Sequence, residues 1–165
     1  MTAKTNAPHA EPPPAAQPLQ SDRAPDGSSA ANKFRSLVGY KTRTWSEGFG
    51  EVEVELRPDL MNSLGIVHGG VYVTLMDAAF GHAVAWCGVP GNVRSAVTVS
   101  LNATFLAVAK SGPLIARGRV ERIEGRLAVI TGEVVDGDGT VCAVGQGSFM
   151  YLSGSENPDG TPRKQ

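Results

Sequence analysis

Asp77 is the one carboxylate in a run from Gly70 to Trp86 that is otherwise almost entirely apolar or small, and that run starts directly after His68-Gly69. A helix over about Gly69 to Cys87 is therefore expected to be buried nearly all round, where an ionised carboxylate is costly unless something uses or compensates it. Used chemically, Asp77 suits a general base acting on water or a nucleophile acting on an acyl carbon. Unused, it suits a structural role, paired with an arginine or capped by hydroxyls. Thr74, one turn earlier on the same helix face, either holds that carboxylate or satisfies a backbone carbonyl. At the start of the run, a helix N-terminus offers unpaired N–H groups and the positive end of the macrodipole, which stabilise negative charge developing on a carbonyl oxygen. Gly69 and Gly70 let a ligand come close to that terminus, or simply allow a tight turn into the helix. Histidine is the side chain that changes charge around physiological pH, which makes His68 a second candidate base.

Geometry constrains any joint use of these groups. At about 1.5 Å per residue, Gly69 and Asp77 lie roughly 12 Å apart along the helix, too far for both to touch one reacting group. They can share a site only across two chains, with two central helices antiparallel and two equivalent sites generated by the symmetry.

The elements around the helix read as strands. Ala31 to Val38 suits a short leading helix and Tyr40 to Trp45 a first strand, while Glu51-Val-Glu-Val-Glu-Leu56 alternates acid with aliphatic, as a strand with one wet face does. After the stop at Gly88 and Pro90, the stretch Val97 to Phe105 places Val97, Val99, Leu101, Ala103 and Phe105 on one face and Thr98, Ser100, Asn102 and Thr104 on the other. Leu114 to Ile123, Leu127 to Val135 and Thr140 to Leu152 follow, separated by Ser111-Gly-Pro113, Glu124-Gly125 and Asp136-Gly-Asp-Gly139. Short turns make antiparallel neighbours, and only the long helix is apolar enough to fill the concave face of such a sheet. The expected fold is α+β: a curved antiparallel sheet wrapped around one central helix, the hotdog architecture.

The spacing Asn62-x5-His68-Gly69-x7-Asp77 resembles the PaaI-like (phenylacetate-degradation type) hotdog-fold acyl-CoA thioesterases, and the resemblance runs from about Gly39 to Leu152. It implies hydrolysis of a small, medium-chain or aryl acyl-CoA to free acid and CoA, without a cofactor. The Gly69 amide would then polarise the thioester carbonyl, with Gly70 and Thr74 lining the substrate. The resemblance also implies that Asn62 stands near the water or thioester and Ser95 orients the water, while His68 mainly positions the loop and helix start. It implies a homodimer, doubled to a tetramer. Acyl selection would rest on the packing of Tyr72, Phe80, Trp86 and Phe105. Two readings compete: a hotdog hydratase or dehydratase on acyl thioesters, and a non-catalytic acyl-CoA binding module, for which Asp77 has no use.

Composition narrows the classes further. The chain has 165 residues and a net charge of −1, with no long block of one sign, so neither nucleic acid nor a membrane surface is expected as a partner. Residues 1–31 hold Pro8, Pro12, Pro13, Pro14, Pro18 and Pro25 among Ala, Ser and Gln, and read as a disordered tail before a domain at 32–152. Residues 153–165 read as a flexible polar end. With neither a secretory signal nor about 18 consecutive apolar residues, the location expected is cytoplasmic. Cys87 and Cys142 form no CxxC pair, and three histidines, one in the tail, make no zinc site. There is no GxSxG, GxxxxGK or HExxH pattern. Arg117, Arg119, Arg122, Arg126 and Lys110 either meet the phosphates of CoA or form a solvated strand face.

Overall fold

A computed structural model describes residues 33–163. Its elements are α1 (Lys33–Val38), β1 (Lys41–Ser46), β2 (Phe49–Val54), a 3-10 turn (Pro58–Leu60), α2 (Gly69–Ala85), β3 (Asn92–Val93), β4 (Ala96–Phe105), β5 (Leu114–Glu124), β6 (Leu127–Val135), β7 (Val141–Tyr151) and β8 (Thr161–Pro162). Six strands form one antiparallel sheet in the order β1-β2-β5-β6-β7-β4, curved around α2. The expected hotdog architecture is present. The tail expected at residues 1–31 lies outside the described residues.

What lets one helix sink into this sheet is a row of glycines. Gly50, Gly118, Gly132 and Gly145 stand opposite one another across β2, β5, β6 and β7, and Ala103 of β4 ends the row. A Cβ on Gly118 would lie 2.6 Å from Phe80 Cδ1, and one on Gly145 would lie 2.7 Å from Met76 Sδ. At Gly50 it would meet the Ala79 carbonyl. The missing side chains form a trough, and Leu75, Met76, Ala79 and Phe80 fill it without exposure to solvent. Close packing of this kind fixes where α2 lies, and with it both ends of the candidate site.

Four sequence expectations change on folding. First, α2 is not buried all round: Gly70 and Asp77 are exposed, because the sheet wraps the helix on one side and leaves the opposite strip of Gly70, Val73, Thr74 and Asp77 open or half-buried. Second, β4 does not keep a single apolar face. Its register against β7 slips between Thr98 and Ser100, leaving Val99 as a bulge that reverses the alternation. Ala96 and Thr98 before the bulge, and Leu101, Ala103 and Phe105 after it, face α2; Val97 and Val99 point away and are 50% and 57% exposed.

Third, residues 153–163, part of the end expected to be flexible, have partners in the domain. β8 pairs with β3, Asn92 Nδ2 donates to the Asp159 carbonyl, and the Arg94 guanidinium lies over the Tyr151 ring while its Nε donates to the Ser155 carbonyl. The polar composition that suggests a loose end instead supplies the partners that tie it down. Fourth, Glu51, expected on a wet face, is covered on the outer side of the sheet because Arg117 bridges it to Glu133.

Candidate active site

Loop 61–68 leads into α2 as a small closed turn. Met61 and Val67 bridge, and the Leu64 and Ile66 amides both donate to Asn62 Oδ1, at 2.9 and 3.4 Å. Gly65 completes the turn with φ +73°. Asn62 thus holds together the loop that carries His68. That histidine is the N-cap of α2: its Nδ1 accepts from the Gly70 amide at 2.9 Å, and its carbonyl accepts from the Val71 amide. An Nδ1 that accepts a hydrogen bond carries no proton, so the neutral ring bears its hydrogen on Nε2 and has no free lone pair to act as a base.

The consequence for the helix start is selective. Gly70, expected beside Gly69 in substrate binding, has its amide taken by His68. Among the described residues no hydrogen bond reaches the Gly69 amide, which stands open at the positive end of the helix dipole. Beside it stands Phe105, whose Cζ is 3.4 Å from where a Gly69 Cβ would be.

Further along α2, Asp77 Oδ1 accepts the Thr98 hydroxyl at 2.7 Å. Among the described residues no hydrogen bond reaches its Oδ2, and the residue is exposed on the open strip of α2. Thr98 is the residue that sequence reasoning missed. The bulge at Val99 turns it toward α2, and neither alternation nor spacing signals a bulge. Ser95, expected to orient the water, lies at the start of β4, where its carbonyl accepts the Leu152 amide; the hydroxyl on the Asp77 carboxylate is that of Thr98. Thr74 lies half-buried on the same strip as Asp77. On the flank of the helix, burial raises the Tyr40 phenol pKa, Arg35 opposes that shift and the Asp77 charge adds to it.

Other candidates fall outside this arrangement. His82 is buried: its Nδ1 donates to the Ala78 carbonyl at 2.6 Å and its Nε2 accepts from Thr42. Burial lowers its pKa, so it is a neutral packing residue, as its position five past Asp77 suggests. Arg117 is engaged by Glu51 and Glu133, Arg122 by Glu124, and Arg126 by the Tyr151 carbonyl, while Arg119 lies over the Phe49 ring. These cations serve the sheet itself. Among the described residues no group of three His, Cys, Asp or Glu side chains is placed to hold a metal.

The candidate residues therefore fall into two groups at opposite ends of β4: Gly69 with Phe105 at one, Asp77 with Thr98 at the other. β4 is an edge strand of the sheet, paired with β7 on one side.

The thioesterase superfamily model matches residues 64–143. A relative from Thermoplasma volcanium, provisionally named an esterase, is 33% identical over 135 residues, covering 78% of this chain and 98% of that one. Among solved structures, the BH2602 protein from Bacillus halodurans, determined with CoA, is 30% identical with a TM-score of 0.65, over 76% of this chain and 82% of that one. The PaaI protein of the E. coli phenylacetic acid degradation operon matches in fold, with a TM-score of 0.67 at 22% identity over 80% and 88% of the two chains.

Proposed function

Because this chain belongs to the thioesterase superfamily and has the hotdog fold, we propose that it hydrolyses acyl-CoA thioesters at a site shared between two subunits. The observation that carries this reading is the pair of half-sites at the two ends of β4. A two-fold axis through the middle of that strand pairs two β4 edges antiparallel and brings the Gly69 end of one chain beside the Asp77 end of the other. The exposed Val97 and Val99, and the open strip of α2, support such pairing, since an apolar edge strand invites a partner. A CoA-bound relative with the same fold supports CoA as the thiol component.

In this reading Thr98 fixes Asp77 through Oδ1, and Oδ2 takes a proton from water as the water oxygen attacks the thioester carbon. Charge developing on the carbonyl oxygen is stabilised by the Gly69 amide across the interface. The tetrahedral intermediate then collapses with cleavage of the C–S bond, and the proton held by Asp77 passes to the departing thiolate. The products are a carboxylic acid and free CoA. Asn62 and His68 act by shaping the loop that leaves the Gly69 amide unoccupied. Asp77 as a nucleophile, through a mixed anhydride, uses the same two half-sites. In single-turnover hydrolysis in H2(18)O, 18O found in the protein identifies a nucleophile whose anhydride is opened at the Asp77 carbon, and trapping of an acylated Asp77 identifies one opened at the acyl carbon; a general base puts 18O into the first acid released and forms no acylated Asp77.

The experiment for the activity is thiol release over short, medium, branched and aryl acyl-CoAs, with Asp77→Ala as control. Turnover that depends on Asp77 is expected. No turnover of any acyl-CoA, or equal turnover by both proteins, would reject the reading.

A further inference from the structure

Four aromatic residues are candidates to select the acyl group, and the fold distinguishes them sharply. Tyr72 and Phe80 lie beneath the sheet, 4% and 0% exposed. Trp86 caps the far end of α2, nine residues and about 13 Å beyond Asp77 along the helix. Phe105 alone is both open and adjacent to a half-site. The residue is 54% exposed and its ring touches the space beside Gly69. It is also held in place: it packs edge-on against Tyr72 at 5.9 Å between centroids, and the Tyr72 hydroxyl accepts the Ala109 amide at 3.3 Å.

We propose that Phe105 is a specificity-determining residue whose ring limits the bulk of the acyl group next to the carbonyl carbon. The inference rests on the thioesterase reading above. A carbonyl oxygen bound by the Gly69 amide sits about 2.9 Å from that nitrogen, and its carbon is about 1.2 Å further on. The two substituents of that carbon therefore fall within contact of the space beside Gly69, where the ring edge stands. One substituent is sulfur and the pantetheine arm, whose amides need polar partners; the other is the acyl group. An apolar ring suits the acyl group and leaves pantetheine amides unsatisfied. Straight-chain acyl groups pass such a wall, whereas a branch or an aryl ring at the α-carbon collides with it.

The test measures kcat/KM for butyryl-, isobutyryl- and benzoyl-CoA with the unaltered dimer, Phe105→Ala and Phe105→Leu. The expected result is that Phe105→Ala raises the isobutyryl-to-butyryl and benzoyl-to-butyryl ratios by about tenfold or more, the scale of small steric changes in an apolar pocket, with Phe105→Leu intermediate. Phe105→Leu keeps an apolar side chain and reads the effect if the alanine variant folds poorly. Unchanged ratios would overturn the inference. If KM then rises equally for all three substrates, the ring contacts the pantetheine arm; if light scattering instead shows a weakened dimer, the ring is only part of the subunit interface. Failure of the unaltered protein to hydrolyse any of the three, or others in the wider panel, would remove the thioesterase reading and this inference with it.

Discussion

Thr98 donates its hydroxyl to Asp77 at 2.7 Å because a single unpaired residue, Val99, reverses the alternation of β4 between them and the strand's far end. Without that bulge, the face of β4 carrying Leu101, Ala103 and Phe105 would carry Val97 and Val99 toward α2, and Thr98 would point away. The catalytic carboxylate of the proposed mechanism is thus oriented by a defect in strand pairing.

That relationship separates two substitutions. Asp77→Asn should lower thioester hydrolysis by about two orders of magnitude or more, the usual scale for loss of a general base, with the melting temperature little changed because residue 77 is exposed. Thr98→Val removes one hydrogen bond to a charged group, in the range of about 1.5–3 kcal/mol, so kcat should fall about tenfold or more, while Thr98→Ser keeps most of the rate. Steady-state kinetics decide, and full activity in Thr98→Val would show that Asp77 needs no such anchor.

Sharing of the site is tested by complementation. Asp77→Ala and Asn62→Ala homodimers should each be nearly inactive, the first lacking the carboxylate and the second lacking the cap of loop 61–68. In a mixed dimer one composite site carries both lesions and the other neither, so activity should return to about half that of the unaltered dimer. Proven subunit exchange without recovery, or full activity in an isolated monomer, contradicts the shared site.

The turn between β6 and β7 gives a pH prediction. Asp136 is buried, and its carboxylate accepts amides from Lys110, Asp138 and Thr140. The Lys110 amide leads the effects that hold its pKa below the ordinary carboxylate value, against burial, with the Thr140 and Asp138 amides adding to it. A depressed folded-state pKa stabilises the protein above the unfolded-state value of about 3.9, and that stability is lost as pH falls through the folded-state value. Melting temperature should therefore drop as pH falls below about 4. Asp136→Asn, unable to satisfy all three amides, should be less stable at pH 7 by about 1–3 kcal/mol and show a shallower acid slope. Thermal melts from pH 7 to 3 measure both.

The glycine trough is open to a steric test. Gly118→Ala adds a methyl 2.6 Å from Phe80 Cδ1 and 3.0 Å from the Ala79 and Phe80 backbone, which has little room to retreat. The variant should lose about 1–3 kcal/mol in denaturant unfolding, with activity falling as α2 is displaced from the sheet. A stability equal to that of the unaltered protein would mean that the helix yields freely.

The sequence by itself determined the elements and the chemistry available to them. The apolar run after His68-Gly69 marked α2, Pro58 and Pro90 marked the breaks around it, and the Asp136-to-Gly139 turn joined two strands, because these signals act over a few residues. The 12 Å between Gly69 and Asp77 followed from helix rise alone, and it already required a second chain if both groups were to serve one carbonyl. Tertiary structure decided what depends on contacts between distant segments. The bulge at Val99 exists only in register with β7, so Thr98 as the partner of Asp77 was invisible to strand periodicity. The row from Gly50 to Gly145 is scattered along the chain and becomes a trough only when four strands align. Residues 153–163 look loose by composition but are held by Asn92 and Arg94, which lie about sixty residues earlier. Exposure was decided last: α2 is apolar enough to be buried all round, yet the sheet covers one side of it, and the side left open is the one that carries Asp77.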